Sequence, residues 1–371
     1  MGSFSRRFIT DFDWLLLGMV LLVCALGVMQ ISSVEPSPGM WRKQLMTVLV
    51  MGLPILFVTT LIDYHKIVNA APVLYGIGII LLIAVLLFGR VVNGNKSWLY
   101  LGPLSGQPSE IAKIFTILML TRFLADVRKR PLDVRTIIIA CGLWAVPAVL
   151  VFLENDTGST LSYMSFLAAL LLIGGIGWRW VAAGAVGLVL VVALAGFWLS
   201  HLDSVKYKDN YKIQRILAVY FPDKAQERFS YQNKQAEIAV GSGGIVGKGL
   251  GKGSQGTLGF LPEVQTDFIF AALGEEMGFL GTVFALVLYA LIITRLIGIA
   301  RSARDRAGLL LVTGYAALLL CHVAVSMGMV LRLLPIIGIP LPLMSYGGSS
   351  LLATFFALGL ALSVRQRRFV N

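Results

Sequence analysis

The sequence predicts an all-α polytopic membrane protein with ten transmembrane helices. Both termini are expected in the cytoplasm, with one large extracytoplasmic loop between spans seven and eight. Three observations predict it. Apolar runs of about 20 residues recur along the chain, each long enough to cross roughly 30 Å of hydrocarbon. Of the 371 residues, 57% are hydrophobic and 13% charged, against about 25% charged in soluble domains. The Lys and Arg residues between the runs also crowd onto alternate loops. This composition, with a mean hydropathy of +0.82, excludes a soluble globular enzyme and describes a single integral domain over 1–371.

The runs fall at about 14–33, 44–62, 71–89, 108–125, 136–153, 160–177, 180–200, 265–294, 307–331 and 342–364 by the hydropathy rule. Ser5-Arg6-Arg7-Phe8 before the first run imitates an export signal. That run lacks a small-x-small cleavage site and many spans follow it, so it is expected to be retained. The fourth run starts at Pro108, a good first-turn residue, with Ser109 and Glu110 in the positively polarised turn. The eighth is long enough to begin outside the membrane plane.

Orientation follows from the short loops. One side would hold sixteen cations: Arg6, Arg7, Lys66, Arg122, Arg128, Lys129, Arg130, Arg135, Arg179, Arg295, Arg301, Arg304, Arg306, Arg365, Arg367 and Arg368. The other side's short loops hold five: Arg42, Lys43, Arg90, Lys96 and Arg332. Positive charge stays inside, so the first set is cytoplasmic. The net charge of +12 is explained by the anionic inner leaflet, and no nucleic-acid partner is expected. Cys24, Cys141 and Cys321 lie within apolar runs, which argues against a disulfide framework or a metal cluster.

The loop at about 201–264 begins with Lys206, Lys208, Lys212 and Arg215, interleaved with Tyr207, Tyr211, Ile213, Ile216, Leu217, Tyr220 and Phe221. That pattern suits an amphipathic segment at the lipid interface. The glycine run Gly241–Gly256 fails as a nucleotide motif, because Gly249 and Gly253 stand where a P-loop needs Ser or Thr. It is expected to be a flexible loop whose exposed amides could bind a pyrophosphate.

Candidate chemistry is confined to few residues. Glu110 and Lys113 lie one helical turn apart and can pair, as a structural ion pair or as ligands. Glu154 and Asp156 occupy a turn with good helix-cap chemistry. Asp267 precedes Phe268-Ile269-Phe270, an apolar flank that raises a carboxylate toward usefulness as a base. Glu275 lies eight residues on, about 12 Å along the same helix face. It and Glu276 read as buried, paired groups. His65, His201 and His322 offer no rival base, and no HExxH, GxSxG or CxxC pattern occurs.

These residues sit in blocks that resemble the SEDS family (shape, elongation, division and sporulation proteins). The blocks are Ile62-Asp63-Tyr64, Lys96-Ser-Trp98-Leu-Tyr-Leu-Gly102, Gln107-Pro-Ser-Glu110-Ile-Ala-Lys113 and Ile238-Ala-Val-Gly-Ser-Gly-Gly244 with Gly247-Lys-Gly249. Then come Phe260-Leu-Pro-Glu263-x-x-Thr266-Asp267-Phe268, Gly328-Met-Val330, Leu334-Pro335, Gly338-Ile-Pro-Leu-Pro342 and Ser345-Tyr-Gly-Gly-Ser349. They run in family order from about residue 14 to 364. The Gly338–Pro342 spelling and short tails favour the elongation branch, RodA, over the division branch, FtsW. Two positions depart from the family pattern: Ser326, where Asn is usual, and Arg332, where Gly is usual. The turn Glu154-Asn155-Asp156-Thr157-Gly158 also varies from the commoner form while keeping Asp156.

The resemblance implies a peptidoglycan glycosyltransferase in the cytoplasmic (inner) membrane, polymerising lipid II at the extracytoplasmic face. It maps the essential aspartate to Asp267, as general base. Lys113, Lys212 and Arg215 are candidates for the pyrophosphate, with Glu110 orienting Lys113, and Asp156 and Ser345 as further substrate contacts. No protein metal site is expected, and a divalent cation (Mg2+ or Mn2+) is left open as an aid. The implied partners are a class B penicillin-binding protein, which is a single-pass transpeptidase, and the elongation complex. The rival readings are a flippase of lipid-linked precursors and a non-enzymatic scaffold.

Overall fold

The computed structural model describes residues 12–35, 38–92, 95–101, 104–127, 130–202, 207 and 210–368. Arg6, Arg7, Arg128, Lys129, Lys206, Lys208 and Gly102 lie outside the described residues. In chain order the helices begin with α1 (Trp14–Val34), followed by α2. The second runs from Pro38–Met46 through a π turn at Thr47–Gly52 into Leu53–Leu61. Next are α3 (Tyr64–Asn69), α4 (Ala71–Phe88), α5 (Pro108–Ala125), α6 (Val134–Leu153), α7 (Thr157–Gly174) and α8 (Trp178–Ser200). The rest are α9 (Tyr211–Tyr220), α10 (Glu227–Ser242), α11 (Ser254–Thr257), α12 (Ile269–Arg301), α13 (Arg306–Val330) and α14 (Gly348–Gln366).

Among the described residues nine helices are long and apolar enough to cross a membrane: α1, α2, α4, α6, α7, α8, α12, α13 and α14. The chain is a multi-pass membrane protein. Helix α5 has 18 residues, a length that matches the shorter spans, but Glu110, Lys113 and Arg122 lower its hydropathy. It packs against α4, α6, α7, α13 and α14, and twelve of its residues are buried. The polar helix therefore sits inside the bundle, where its charges meet protein rather than lipid. Helix α8 is the opposite case, with no buried residue in its most apolar stretch.

Short acidic and amide side chains start many of the helices. Asp13, Asp133, Asp156 and Asp305 accept from Leu16, Thr136, Ser159 and Gly308 backbone N–H groups at the heads of α1, α6, α7 and α13. Each cap satisfies a donor that the first helical turn leaves open. At the basic end, cations close the other helix ends. Arg367 donates to Leu61 O at 2.7 Å, Arg306 to Val127 O and Gly174 O, and Arg122 to Asn69 O. Asp13, itself buried, is paired with Arg295 at 2.7 Å and Arg365 at 2.5 Å, which ties α1, α12 and α14 together.

The helical fold is as expected, and three details add to it or depart from it. First, Arg90–Val92, Asn95–Leu101 and Leu104–Gly106 form a small three-stranded antiparallel sheet, β1-β2-β3, between α4 and α5. Val91-Val92 and Trp98-Leu99-Tyr100 are strand formers on either side of Asn93-Gly94, the commonest two-residue hairpin signal. Second, the amphipathic helix α9 packs Ile213, Ile216 and Leu217 against Leu199 and Leu202 at the end of α8. Part of its apolar side is thereby covered by protein.

Third, the glycine run turns its amides inward. Helix α12 is broken at Gly278 (φ 63°, ψ −160°), and the loop fills the break. Lys248 N and Gly249 N donate to the carbonyls of Glu275 and Glu276 at 3.0 and 2.9 Å. Gly244 O and Ile245 O accept from Phe279 N and Leu280 N at 2.9 and 3.1 Å. Both new helix ends are thereby satisfied. The two carboxylates complete the dock. Glu275 accepts from Lys248 Nζ at 2.6 Å, Ser254 N at 2.7 Å, Ser254 Oγ at 2.9 Å and Gln255 N. Glu276 accepts from Ser33 Oγ and Gly251 N.

Gly247 has φ +83°, and a Cβ there would lie 2.1 Å from Glu276 O. Gly247→Ala is expected to destabilise the protein by at least about 2 kcal/mol, from left-handed strain and overpacking together. Thermal melting in detergent checks it, and an unchanged melting temperature would refute the docked-loop account.

Candidate active site

At the end of the bundle opposite the basic cluster, four segments converge. Asp267 lies in the turn before α12, since the helix begins only at Ile269. It does not share a helix face with Glu275, which is committed to the glycine loop. The turn is pinned from behind by the segment leading into α14. Ser345 Oγ donates to Thr266 O at 2.6 Å and accepts from Leu341 N at 2.9 Å, and Tyr346 N donates to Gln265 O at 2.8 Å. Gln44 Nε2 in turn donates to Ser345 O at 3.0 Å. The same segment borders the carboxylate in front, because a Cβ on Gly338 (φ +69°) would lie 3.3 Å from Asp267 Oδ2. On its other side Gly338's neighbour Ile337 abuts the start of α7, where a Cβ on Gly158 would lie 2.8 Å from Ile337 O.

Asp156 caps α7 through Oδ1 and accepts from Gln107 Nε2 at 2.8 Å through Oδ2. Gln107 is the N-cap residue of α5, and its own N–H donates to Ser349 Oγ at 2.9 Å. One residue thus joins the heads of three helices, reaching α7 through its side chain and α14 through its backbone N–H at the head of α5. One turn further along α5, Glu110 Oε1 accepts from Lys113 Nζ at 2.8 Å. Both are buried, Lys113 to 1% exposure. Lys113 Nζ also lies 3.3 Å from His322 Nε2 on α13.

Electrostatics separates the carboxylates. Burial pushes the Asp267 carboxyl up to about 6; the Arg215 guanidinium on α9 pulls against that rise, and the Glu263 and Asp156 carboxylates add to it. Such a group is mostly ionised near neutral pH yet basic enough to take a proton. Glu154 is fully buried, and neither of its carboxylate oxygens has a hydrogen-bond partner among the described residues. Burial, helped by the charge on Asp156, pushes it up to about 8. Among the described residues, four non-glycine residues have left-handed backbone: Asn155, Glu263, Arg332 and Leu343. Three of them flank Asp156, Asp267 and Ser345, and strain of this kind, about 1–3 kcal/mol each, collects at functional sites.

The expected cations are divided among partners. Arg215 acts on Asp267, Lys212 stacks over the Phe152 ring at 4.6 Å, and Lys113 is enclosed between α5 and α13. Arg332 pairs with Glu237 at 2.8 Å and so tethers the turn after α13 to α10. Ser326 is buried with its hydroxyl unpaired among the described residues. No three His, Cys, Asp or Glu side chains among the described residues come close enough to hold a metal ion. Gln107 and Ser349 carry no assigned role in the sequence, and His322 reads there as a mid-span residue rather than a site residue. A polar side chain at an N-cap position and an ionisable one at membrane depth were the available signals.

The family described as Cell cycle protein (FtsW, RodA and SpoVE) matches residues 6–369. The chain belongs to that family. It is 37% identical over 359 residues to "Peptidoglycan glycosyltransferase MrdB" of Escherichia coli K12, covering 96% of this chain and 94% of that one. It is 29% identical over 430 residues to "Peptidoglycan glycosyltransferase RodA" of Treponema pallidum, covering 98% and 99%. Among solved structures, a chain of a peptidoglycan synthase complex that coordinates polymerization and crosslinking superposes with a TM-score of 0.83 at 30% identity, covering 97% and 99%. The rod shape determining protein RodA of Thermus thermophilus superposes at 0.72 with 29% identity, covering 97% and 98%. The family's two-sided likeness, in sequence and in fold, extends over nearly the whole chain.

The raised Glu154 carboxyl has a consequence for stability. The folded protein holds this proton up to about pH 8, whereas an unfolded glutamate releases it near 4.5. Its contribution therefore falls as pH rises between those values. Glu154→Gln is expected to remove that decline, so that variant and wild-type melting temperatures diverge progressively from pH 5 to pH 8 in favour of the variant. Parallel curves would show that Glu154 is ionised in the fold.

Proposed function

We propose that this chain is a RodA-type peptidoglycan glycosyltransferase. It polymerises lipid II at the extracytoplasmic face of the cytoplasmic (inner) membrane during elongation. The observation that carries the site assignment is Asp267, a carboxylate tuned to about 6 at the outer mouth and bordered by Gly338 and Arg215. In the reaction a hydroxyl oxygen of the acceptor sugar bonds to the anomeric carbon of the donor sugar. The carbon–oxygen bond to undecaprenyl pyrophosphate breaks, and the hydroxyl proton passes to Asp267. Burial supports this role by raising the base, and Arg215 holds it below the point where it would stay protonated at neutral pH.

The negative charge that builds on the leaving pyrophosphate needs cations. Arg215 and Lys212 on α9 stand on the outer side, and Lys113 serves from within the bundle. Asp156 and Ser345 act as supports for the site, through Gln107 and through the Thr266 carbonyl. A divalent cation (Mg2+ or Mn2+), where one takes part, would be brought on pyrophosphate oxygens, since the described side chains form no cage for it. The partner is a class B penicillin-binding protein within an elongation complex. This is supported by the likeness to a chain from a synthase complex that coordinates polymerization and crosslinking.

Purified protein bound to its transpeptidase is expected to convert lipid II into long glycan chains. Asp267→Asn is expected to lower that rate at least about 100-fold, the lower end for loss of a general base. Normal polymerisation by the variant would overturn the assignment, and movement of lipid II across vesicles without polymer would favour a flippase.

The rate is expected to rise with pH through about 6, as Asp267 ionises. Arg215→Gln removes the cation that favours the ionised form, so this limb should move to higher pH. A limb that stays in place or moves down would show that Arg215 does not act on the base.

A further inference from the structure

A buried ammonium has three N–H donors and no acceptor. At Lys113 one donor goes to Glu110 Oε1 at 2.8 Å, and His322 Nε2 lies 3.3 Å from the same nitrogen. No other hydrogen bond to Nζ occurs among the described residues. All three side chains are buried, with His322 at 5% exposure. A small, mostly apolar cavity adjoins Glu110 and His322.

The contact constrains the imidazole. An ammonium offers no lone pair, so Nε2 can only be the acceptor. A proton on Nε2 would place a donor against a donor, and a charged ring would set two cations side by side with little water to screen them. The ring is therefore neutral, with its proton on Nδ1.

The contact also constrains Lys113. With Glu110 as the only acceptor, the other two N–H bonds would swing about the bond to that carboxylate. A second fixed acceptor on a different helix stops the rotation and leaves the third N–H with a single direction. We propose that His322 is a positioning residue: with Glu110 it locks the Lys113 ammonium so that its one uncommitted N–H is held ready for a phosphate oxygen of the leaving pyrophosphate. This rests on the glycosyltransferase reading and deepens its assignment of Lys113. Fixing a donor in advance removes reorganisation from the reaction step, so its effect falls on turnover more than on substrate capture.

The chain has three histidines, so 15N NMR of histidine-labelled full-length protein can read the ring directly. His65→Gln and His201→Gln, at two exposed positions, assign the remaining signal to His322. The expected signature is a neutral ring with Nδ1 protonated and Nε2 bare. A protonated Nε2, alone or in a charged ring, would overturn the proposal without recourse to activity.

Kinetics give the second arm, on the transpeptidase-bound protein with lipid II. His322→Phe keeps a ring but no acceptor and is expected to lower kcat about tenfold, the worth of one buried hydrogen bond, with KM within about twofold. His322→Gln keeps an acceptor and should recover most of the rate. In a Lys113→Met background the Phe change should add nothing. Wild-type turnover in the Phe variant, or equal losses in Phe and Gln variants of unchanged melting temperature, would overturn the proposal. Absence of polymer from the wild-type protein would instead count against the glycosyltransferase reading, leaving the NMR result to stand by itself. If the Phe variant does not fold, the Gln variant and the NMR signature decide.

Discussion

The carboxylate of Glu275 holds the glycine loop onto the broken helix α12. Because α12 is broken at Gly278, the stretch that follows Asp267 is a half-helix of nine residues (269–277), about two and a half turns. So short a helix is not stable by itself in water. Here it is kept by what docks on its end: a lysine ammonium, a serine hydroxyl and backbone amides, all received by one side chain. The turn carrying Asp267 leads directly into that half-helix, so the placement of Asp267 depends on the carboxylate of Glu275.

The same economy governs charge throughout the chain. At the basic end the arginines also close helix termini, so Arg367, Arg306 and Arg122 each meet open carbonyls of neighbouring segments. At the other end charge is left less fully paired. Asp267 has Arg215 on one side and two like charges on the other, a balance that leaves its proton affinity adjustable. Glu154, two residues from Asp156, is buried with no hydrogen-bond partner for its carboxylate among the described residues. The contrast is physical: paired charges hold helices together, and incompletely compensated ones are available for chemistry.

Much of this was legible in the residues. Span positions follow from hydropathy because a backbone in hydrocarbon must satisfy itself, which leaves helices as the main option. The Glu110–Lys113 pair follows from a spacing of three, and Asp267 stood out as the acidic member of a specific block. What was not legible depends on tertiary contact. The glycine run reads as exposed backbone because composition cannot show a break in another helix that will receive it. His322 reads as an isolated mid-span residue because its partner lies on α5, 209 positions away in sequence. The small sheet is not legible because its strands have only 3, 7 and 3 residues and lie between apolar spans.

The glycine loop bears on how this chain can change. Surface loops are where proteins usually absorb insertions and deletions, since their length is weakly constrained. Residues 243–255 are different, because carbonyls at 244 and 245 and amides at 248, 249, 251, 254 and 255 are each matched to a fixed point on α12 or to Ser33. One added residue would shift every later group out of register. The most linker-like composition in the chain is therefore a part of fixed length, and an epitope tag or a domain fusion placed there would undo the support of the half-helix that follows Asp267.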